Sequence, residues 1–122
     1  MHLHAITIDC ADAHTLATFW SQALGHPLDP DDKPGDPEAL IRLPQGPPLL
    51  FLAVPEPKTT KNRLHLDLCA DPGTTREAEV ARLQQLGATL VEDRRNPDGT
   101  GWAVLHDPEG HEFCVVRGDH ER

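Results

Sequence analysis

The residues best suited to chemistry are interleaved along one short stretch. Arg63, His65, Asp67 and Cys69 alternate with Leu64, Leu66 and Leu68. A period of two is the signature of a strand, so the leucines share one face and the polar side chains the other. An imidazole two residues from a carboxylate on the same face can accept, hold and return a proton. A second alternation lies near the end of the chain. There Glu112, Cys114 and Val116 interleave with Phe113 and Val115. Near the start, Ala5, Thr7 and Asp9 interleave with Ile6 and Ile8. The catalytic candidates are therefore His65, Asp67 and Glu112, with His65 and either carboxylate as an acid/base pair. The ligand-contacting candidates are Thr7, Asp9, Arg63, Trp102 and Cys114.

Each candidate also has a plainer reading. His65 can be a hydrogen-bonded histidine within a curved sheet, since perturbed histidines serve both structure and function. Asp9 and Asp67 can accept bonds from Arg63 or a loop backbone, because buried charges are paired. Cys114 reads as a small packing residue before it reads as a nucleophile. Arg63 suits a salt bridge or a clamp on a carboxylate or phosphate. Trp102 can edge a pocket or a subunit contact. Phe19 and Trp20 are core. His2, His4, His14, His26, His106, His111 and His120 show no ligand spacing beyond the His2/His4 pair, which reads as surface.

Bulk properties narrow the classes. With 122 residues the chain has the size of one domain with a real core. A formal net charge of −9 argues against nucleic acid, whose phosphates need a basic face, and would suit a cationic ligand. The mean hydropathy is negative and no apolar run reaches the roughly 18 residues of a membrane span, so no membrane partner is expected. Three cysteines, none in a C-x-x-C, read as reduced thiols. With no basic-then-apolar leader after Met1, a cytoplasmic protein is expected.

The elements that must position these residues are written twice. Ile6-Thr7-Ile8-Asp9-Cys10-Ala11-Asp12 is followed by an amphipathic stretch and Leu24-Gly25. Leu66-Asp67-Leu68-Cys69-Ala70-Asp71 is followed by another and Leu86-Gly87, about 60 residues later. In the first copy the pattern predicts a strand over 3–10 and a helix capped by Asp12 and ended by Gly25. A polar loop over 29–37 and strands over 38–43 and 48–54 follow. In the second it predicts a strand over 63–69 and a helix opened by a Thr74–Glu77 capping box and ended by Gly87. Strands over 88–94, 101–106 and 112–117 complete it, with turns at Asn96-Pro97-Asp98-Gly99 and Asp107-Pro108-Glu109-Gly110. Residues 118–122 read as a frayed tail. The fold class is α+β: two βαβββ modules, 1–55 and 63–117, joined by a proline-containing linker over 56–62 within a single domain over 1–122. Two similar half-sheets would curl into a mixed sheet cleft with the helices outside.

Four local patterns resemble the vicinal oxygen chelate superfamily, which holds glyoxalase I, extradiol dioxygenases and bleomycin- and fosfomycin-resistance proteins. They are the helix Leu16-Ala17-Thr18-Phe19-Trp20-Ser21-Gln22-Ala23-Leu24-Gly25, the strand entry Lys61-Asn62-Arg63-Leu64-His65-Leu66-Asp67-Leu68, the turn and strand Asp107-Pro108-Glu109-Gly110-His111-Glu112-Phe113, and the repeat itself. The resemblance implies a glyoxalase-like protein that binds a small oxygenated organic molecule in the cleft. It would act as a lyase, isomerase or dioxygenase-like enzyme, or sequester the molecule without metal as bleomycin-resistance relatives do. It further implies a divalent metal held by one residue from the first and last strand of each module. Those positions fall on Ala5, Leu52, His65 and Cys114. His65 is the only typical ligand retained, so the resemblance defines no complete metal site and no cofactor. A two-fold homodimer is the expected assembly.

Overall fold

Asp12 opens the first helix by accepting a hydrogen bond from the Thr15 amide (3.1 Å), which satisfies one of the free donors of the first turn. In the computed structural model, which describes residues 1–122, this helix is α1, Ala13–Leu24. It ends at Gly25, whose left-handed backbone (φ 73°) turns its N–H back to the Ser21 carbonyl. The chain forms two compact units, Met1–Thr59 and Thr60–Arg122.

In the first unit, β1 (Ile6–Cys10), β2 (Glu38–Ile41) and β3 (Leu49–Ala53) form a sheet ordered β1-β3-β2. β1 runs parallel to β3, and β2 antiparallel to it. Leu16, Ala17 and Trp20 of α1 are buried, as are Ala39, Ile41, Leu49 and Phe51 of the sheet. Phe19 and Trp20 meet edge to face with centroids 5.5 Å apart. All three strands are shorter than expected at the same end of the sheet, for one reason. Pro47 and Pro48 have no N–H, so the ladder cannot extend past Leu49, and Leu3–Ala5 and Arg42–Leu43 find no rung. Ile6 takes the last available acceptor, the Pro48 carbonyl, and its side chain remains exposed at this end.

The polar loop 29–37 is ordered by its own carboxylates. Asp29 accepts the Asp31 amide and pairs with Arg42 (2.6 Å), Asp32 accepts the Leu40 amide (2.7 Å), and Asp36 accepts the Lys33 amide. The strand that would directly follow α1 shrinks to a single bridge, Leu28 to Ile41.

In the second unit, β4 (Asp67–Cys69), α2 (Arg76–Leu86), β5 (Thr89–Asp93), β6 (Trp102–His106) and β7 (Glu112–Val116) give the order β4-β7-β6-β5. With Leu28 counted, the two units share one topology: a parallel edge strand, then antiparallel neighbours. This is the α+β, twice-built βαβββ plan. α2 packs against β7, and Val80 and Leu83 of the helix are buried, as are Phe113, Val115, Ala103 and Leu105 of the sheet.

Three local expectations are corrected. The α2 cap is Thr75, which accepts the Ala78 amide (3.1 Å), while Glu77 turns instead to the Arg76 guanidinium (2.7 Å). Residues 118–122 are not frayed: Asp119–Glu121 form a one-turn 3-10 helix. The Glu121 carboxylate accepts the Arg76 and Gly118 amides, and His120 Nε2 lies 2.7 Å from the Thr74 carbonyl. A carboxylate at the positive end of α2 is favoured by the helix dipole, which explains the docking. Finally, β4 begins at Asp67 and not at Arg63.

Candidate functional site

The late start of β4 comes from a side chain that outcompetes the ladder. Glu112 Oε2 accepts the Asn62 amide (3.1 Å), and Asn62 Nδ2 donates to the Glu112 carbonyl. The first rung is then Cys114 N–H to the Leu66 carbonyl. Arg63 and Leu64 bend away from the sheet, so the alternation fails there and Leu64, expected against a helix, is 88% exposed. Arg63 is likewise exposed. From Leu66 onward the alternation holds.

Register assembles the face opposite α2. Directly paired residues in a sheet point to the same side. Asp67 pairs with Cys114, Cys114 with Val104, and Val104 with Glu92, which makes one row across four strands. Val116 pairs with Trp102 in the next row, and Glu112 with His106 in the one before. His65 lies one alternation before Asp67 and joins this surface. Its Nδ1 is 2.7 Å from Asp67 Oδ1. An ionised carboxylate only accepts, so Nδ1 carries the hydrogen and Nε2 is the free acceptor.

Cys114 sits beside this pair, buried although it is on the face away from the helix. Burial first, and the neighbouring Asp67 carboxylate second, push its thiol above the usual range; Lys61 opposes them. One ligand atom each from His65, Asp67 and Cys114 lies within 4.8 Å of the other two. Imidazole, carboxylate and thiol are donor types that suit a divalent ion of the kind the resemblance implies, and these three residues would hold it. Counting positions along the sequence misses Asp67 as a donor, because it stands outside the four places where the superfamily keeps its ligands.

The structure thus brings His65, Asp67 and Cys114 together and sets Glu112 nearby as the anchor of the segment before β4. Trp102 lies on the same face at its exposed edge, 43% accessible. Arg63 does not join them through the strand. Thr7 and Asp9 are exposed on β1 of the first unit. Two residues of this face escape the sequence reading. His106, whose Nε2 is 4.0 Å from Glu112 Oε1, is signalled by its alternation with Trp102 and Val104. Glu92 is hidden by the register shift between Leu90 and Glu92, which breaks the parity of β5.

No helix is long and apolar enough to cross a membrane. No curated protein matches the chain by sequence. Solved structures match its fold along nearly its whole length. A glyoxalase/bleomycin resistance protein/dioxygenase family enzyme from Burkholderia phytofirmans PsJN has 21% identity and a TM-score of 0.73, over 96% of this chain and 98% of that one. A lactoylglutathione lyase from Agrobacterium tumefaciens has 15% identity and a TM-score of 0.65, over 97% and 94%. The oxidase ChaP-H2 has 20% identity and a TM-score of 0.64, again over 97% and 94%. The family model of the glyoxalase-like domain matches residues 5–116. With that match, and with one topology built twice, the chain belongs to the glyoxalase-like domain family of the vicinal oxygen chelate superfamily.

Proposed function

We propose that residues 1–122 act as one glyoxalase-like domain that binds a small oxygenated organic molecule against β4, β7 and β6 and moves a proton on it. The activity is of lyase, isomerase or dioxygenase type. The observation that carries this reading is the 2.7 Å contact between His65 Nδ1 and Asp67 Oδ1. Asp67 fixes the ring and its tautomer, and Nε2 then stands ready to take a proton from a carbon next to a carbonyl. Glu112 acts as a positioning residue, because its carboxylate is already committed to the Asn62 amide and holds the His65 segment in place. Cys114 contributes an S–H beside Asp67 rather than a nucleophile, since its thiol is held protonated. A cytoplasmic, two-fold dimeric protein accompanies this reading; the three free cysteines support the reducing compartment.

The test is proton exchange in heavy water, followed by NMR, on a panel of small α-oxygenated carbonyl compounds. Catalysed exchange at the α-carbon of at least one compound is expected. His65→Ala should abolish the exchange, and Asp67→Asn should slow it by roughly 10- to 100-fold, in the range usual for a group that orients another. Exchange that survives in His65→Ala overturns the assignment.

A second reading is supported by the apolar strip beside the polar row. Trp102, Val104 and Val116 share one face, and the indole is exposed. Such a platform suits sequestration of a planar organic molecule without turnover. Tight binding of a compound that neither exchanges nor changes, weakened by Trp102→Ala and not by His65→Ala, would select it.

A further inference from the structure

Two exposed side chains stand opposite each other at one corner of the β4-β7-β6-β5 sheet. Arg94 and Trp102 exchange both backbone hydrogen bonds: the Arg94 amide donates to the Trp102 carbonyl (2.9 Å), and the Trp102 amide to the Arg94 carbonyl (3.3 Å). Residues paired in this way point to one side of a sheet. That side carries Asp67 and Cys114, because Trp102 pairs with Val116 and Arg94 lies one alternation beyond Glu92. The guanidinium is held in place by its neighbour. Its Nε (2.9 Å) and its Nη2 both donate to Glu92 Oε1, which uses one edge of the fork. The other edge, formed by Nη1 and the second hydrogen of Nη2, is left open, and the side chain is 57% exposed. The indole beside it is exposed as well.

We infer that Arg94 and Trp102 form the recognition end of the ligand surface and take a planar aromatic ring that bears a carboxylate. The ring stacks on the indole, and the carboxylate meets the open edge of the guanidinium through two parallel N–H···O bonds. The inference deepens the function proposed above and rests on its placing of the ligand on this face. The carboxylates of the face are already engaged, Glu92 by Arg94 and Asp67 by His65, so they do not call for a cation. The net charge of −9 is spread over the whole chain, and beyond a screening length of about 8 Å it counts for less than the group in contact. The strand of Trp102 is separated from that of Asp67 by β7, which sets them about 10 Å apart at the usual spacing. A molecule that also reaches His65 must therefore extend beyond its first ring.

Calorimetric binding of naphthoate, naphthamide and naphthylmethylammonium to the full chain tests it. The three probes, substituted at the same ring position, share a ring system and differ in charge. Naphthoate should bind at a single site, about 10- to 100-fold more tightly than the amide, and the ammonium no more tightly than the amide. Arg94→Gln should bring acid and amide to equal affinity without disturbing the fold, since Arg94 is exposed. Arg94→Lys should restore only part of the difference, because lysine keeps the charge without the fork. Trp102→Leu should weaken acid and amide alike, by roughly 3- to 10-fold, and leave their ratio unchanged. An amide or ammonium that binds as tightly as the acid, an acid preference that survives Arg94→Gln, or no saturable binding of any probe overturns the inference. Naphthoate has no hydrogen on the carbon next to its carboxylate, so its binding is read apart from proton exchange. Exchange on other compounds by protein that does not hold naphthoate would overturn this inference alone. Naphthoate binding with no exchange on any compound would leave it standing and count against the function proposed above.

Discussion

Asp67 and Cys114 are direct partners across the parallel ladder of β4 and β7, and a carboxylate oxygen and the thiol sulfur lie within 4.8 Å of each other. They are far apart in sequence, yet the sheet makes them neighbours. Their chemistry is coupled: the negative charge opposes a second one on sulfur, and burial opposes it further.

The three thiols should therefore react in a set order. Cys69 is exposed and should be alkylated first by iodoacetamide at neutral pH. Cys114 and Cys10, both buried, should lag by at least about tenfold. Asp67→Asn should speed the labelling of Cys114 by removing the adjacent charge, with no effect on Cys10. Peptide mass spectrometry over a time course reads this directly, and equal rates for Cys69 and Cys114 would contradict the packing described.

Arg76 is 4% exposed and works as a clasp. Its Nη1 donates to the carbonyls of Gly99, Thr100 and Gly101, and its Nε donates to Glu77. Arg76→Met keeps much of the packing volume but strands those carbonyls. A loss of about 2–3 kcal/mol is expected, from hydrogen bonds to a charged donor in a protected place. The urea midpoint should fall, and amide exchange over 96–101 should rise before the rest of the unit opens.

Docking of the 119–121 turn should fail in acid. The Gly118 and Arg76 amides hold the Glu121 carboxyl below its usual value of 4.5. A group whose folded value is depressed contributes its stabilisation above the unfolded value and loses it as pH falls through the folded one. The turn should thus stay docked at pH 6 and detach progressively below 4.5. Chemical shifts of the Arg76 and Gly118 amides would follow the change, and Glu121→Gln should flatten it.

Gly101 tolerates no side chain. Its φ is 86°, and an added Cβ would stand 1.9 Å from the Arg94 carbonyl oxygen, which accepts the Trp102 amide. Gly101→Ala should cost about 3 kcal/mol or more by breaking the entry to β6. Denaturant unfolding measures the loss, and a variant as stable as the parent would rule the clash out.

Much of this architecture is legible in the chain because it is local. Asp12, Gly25, Gly87 and Gly110 mark their boundaries through nearest-neighbour chemistry, and the duplicated strand–helix pattern announces one topology built twice. The polar face of β4 is visible through simple alternation from Leu66 onward. What escapes depends on contacts between distant parts. The displacement of Arg63 and Leu64 follows from a Glu112–Asn62 bond spanning 50 positions. The role of Glu121 follows from an amide 45 positions earlier. Asp67 joins Cys114 only once the strand order is known. His106 and Glu92 enter the face through β6 and β5 by the same logic, Glu92 against the apparent parity of its own strand.

The placement of the two tryptophans has a practical consequence. Trp20 lies in the core of the first unit at 2% exposure, and Trp102 stands open on the sheet face of the second that carries Asp67 and Cys114. No tyrosine is present to blur the signal. Intrinsic emission therefore divides into a blue component that reports melting of one half and a red one that reports occupancy of the other. A single cuvette can follow both without an added dye.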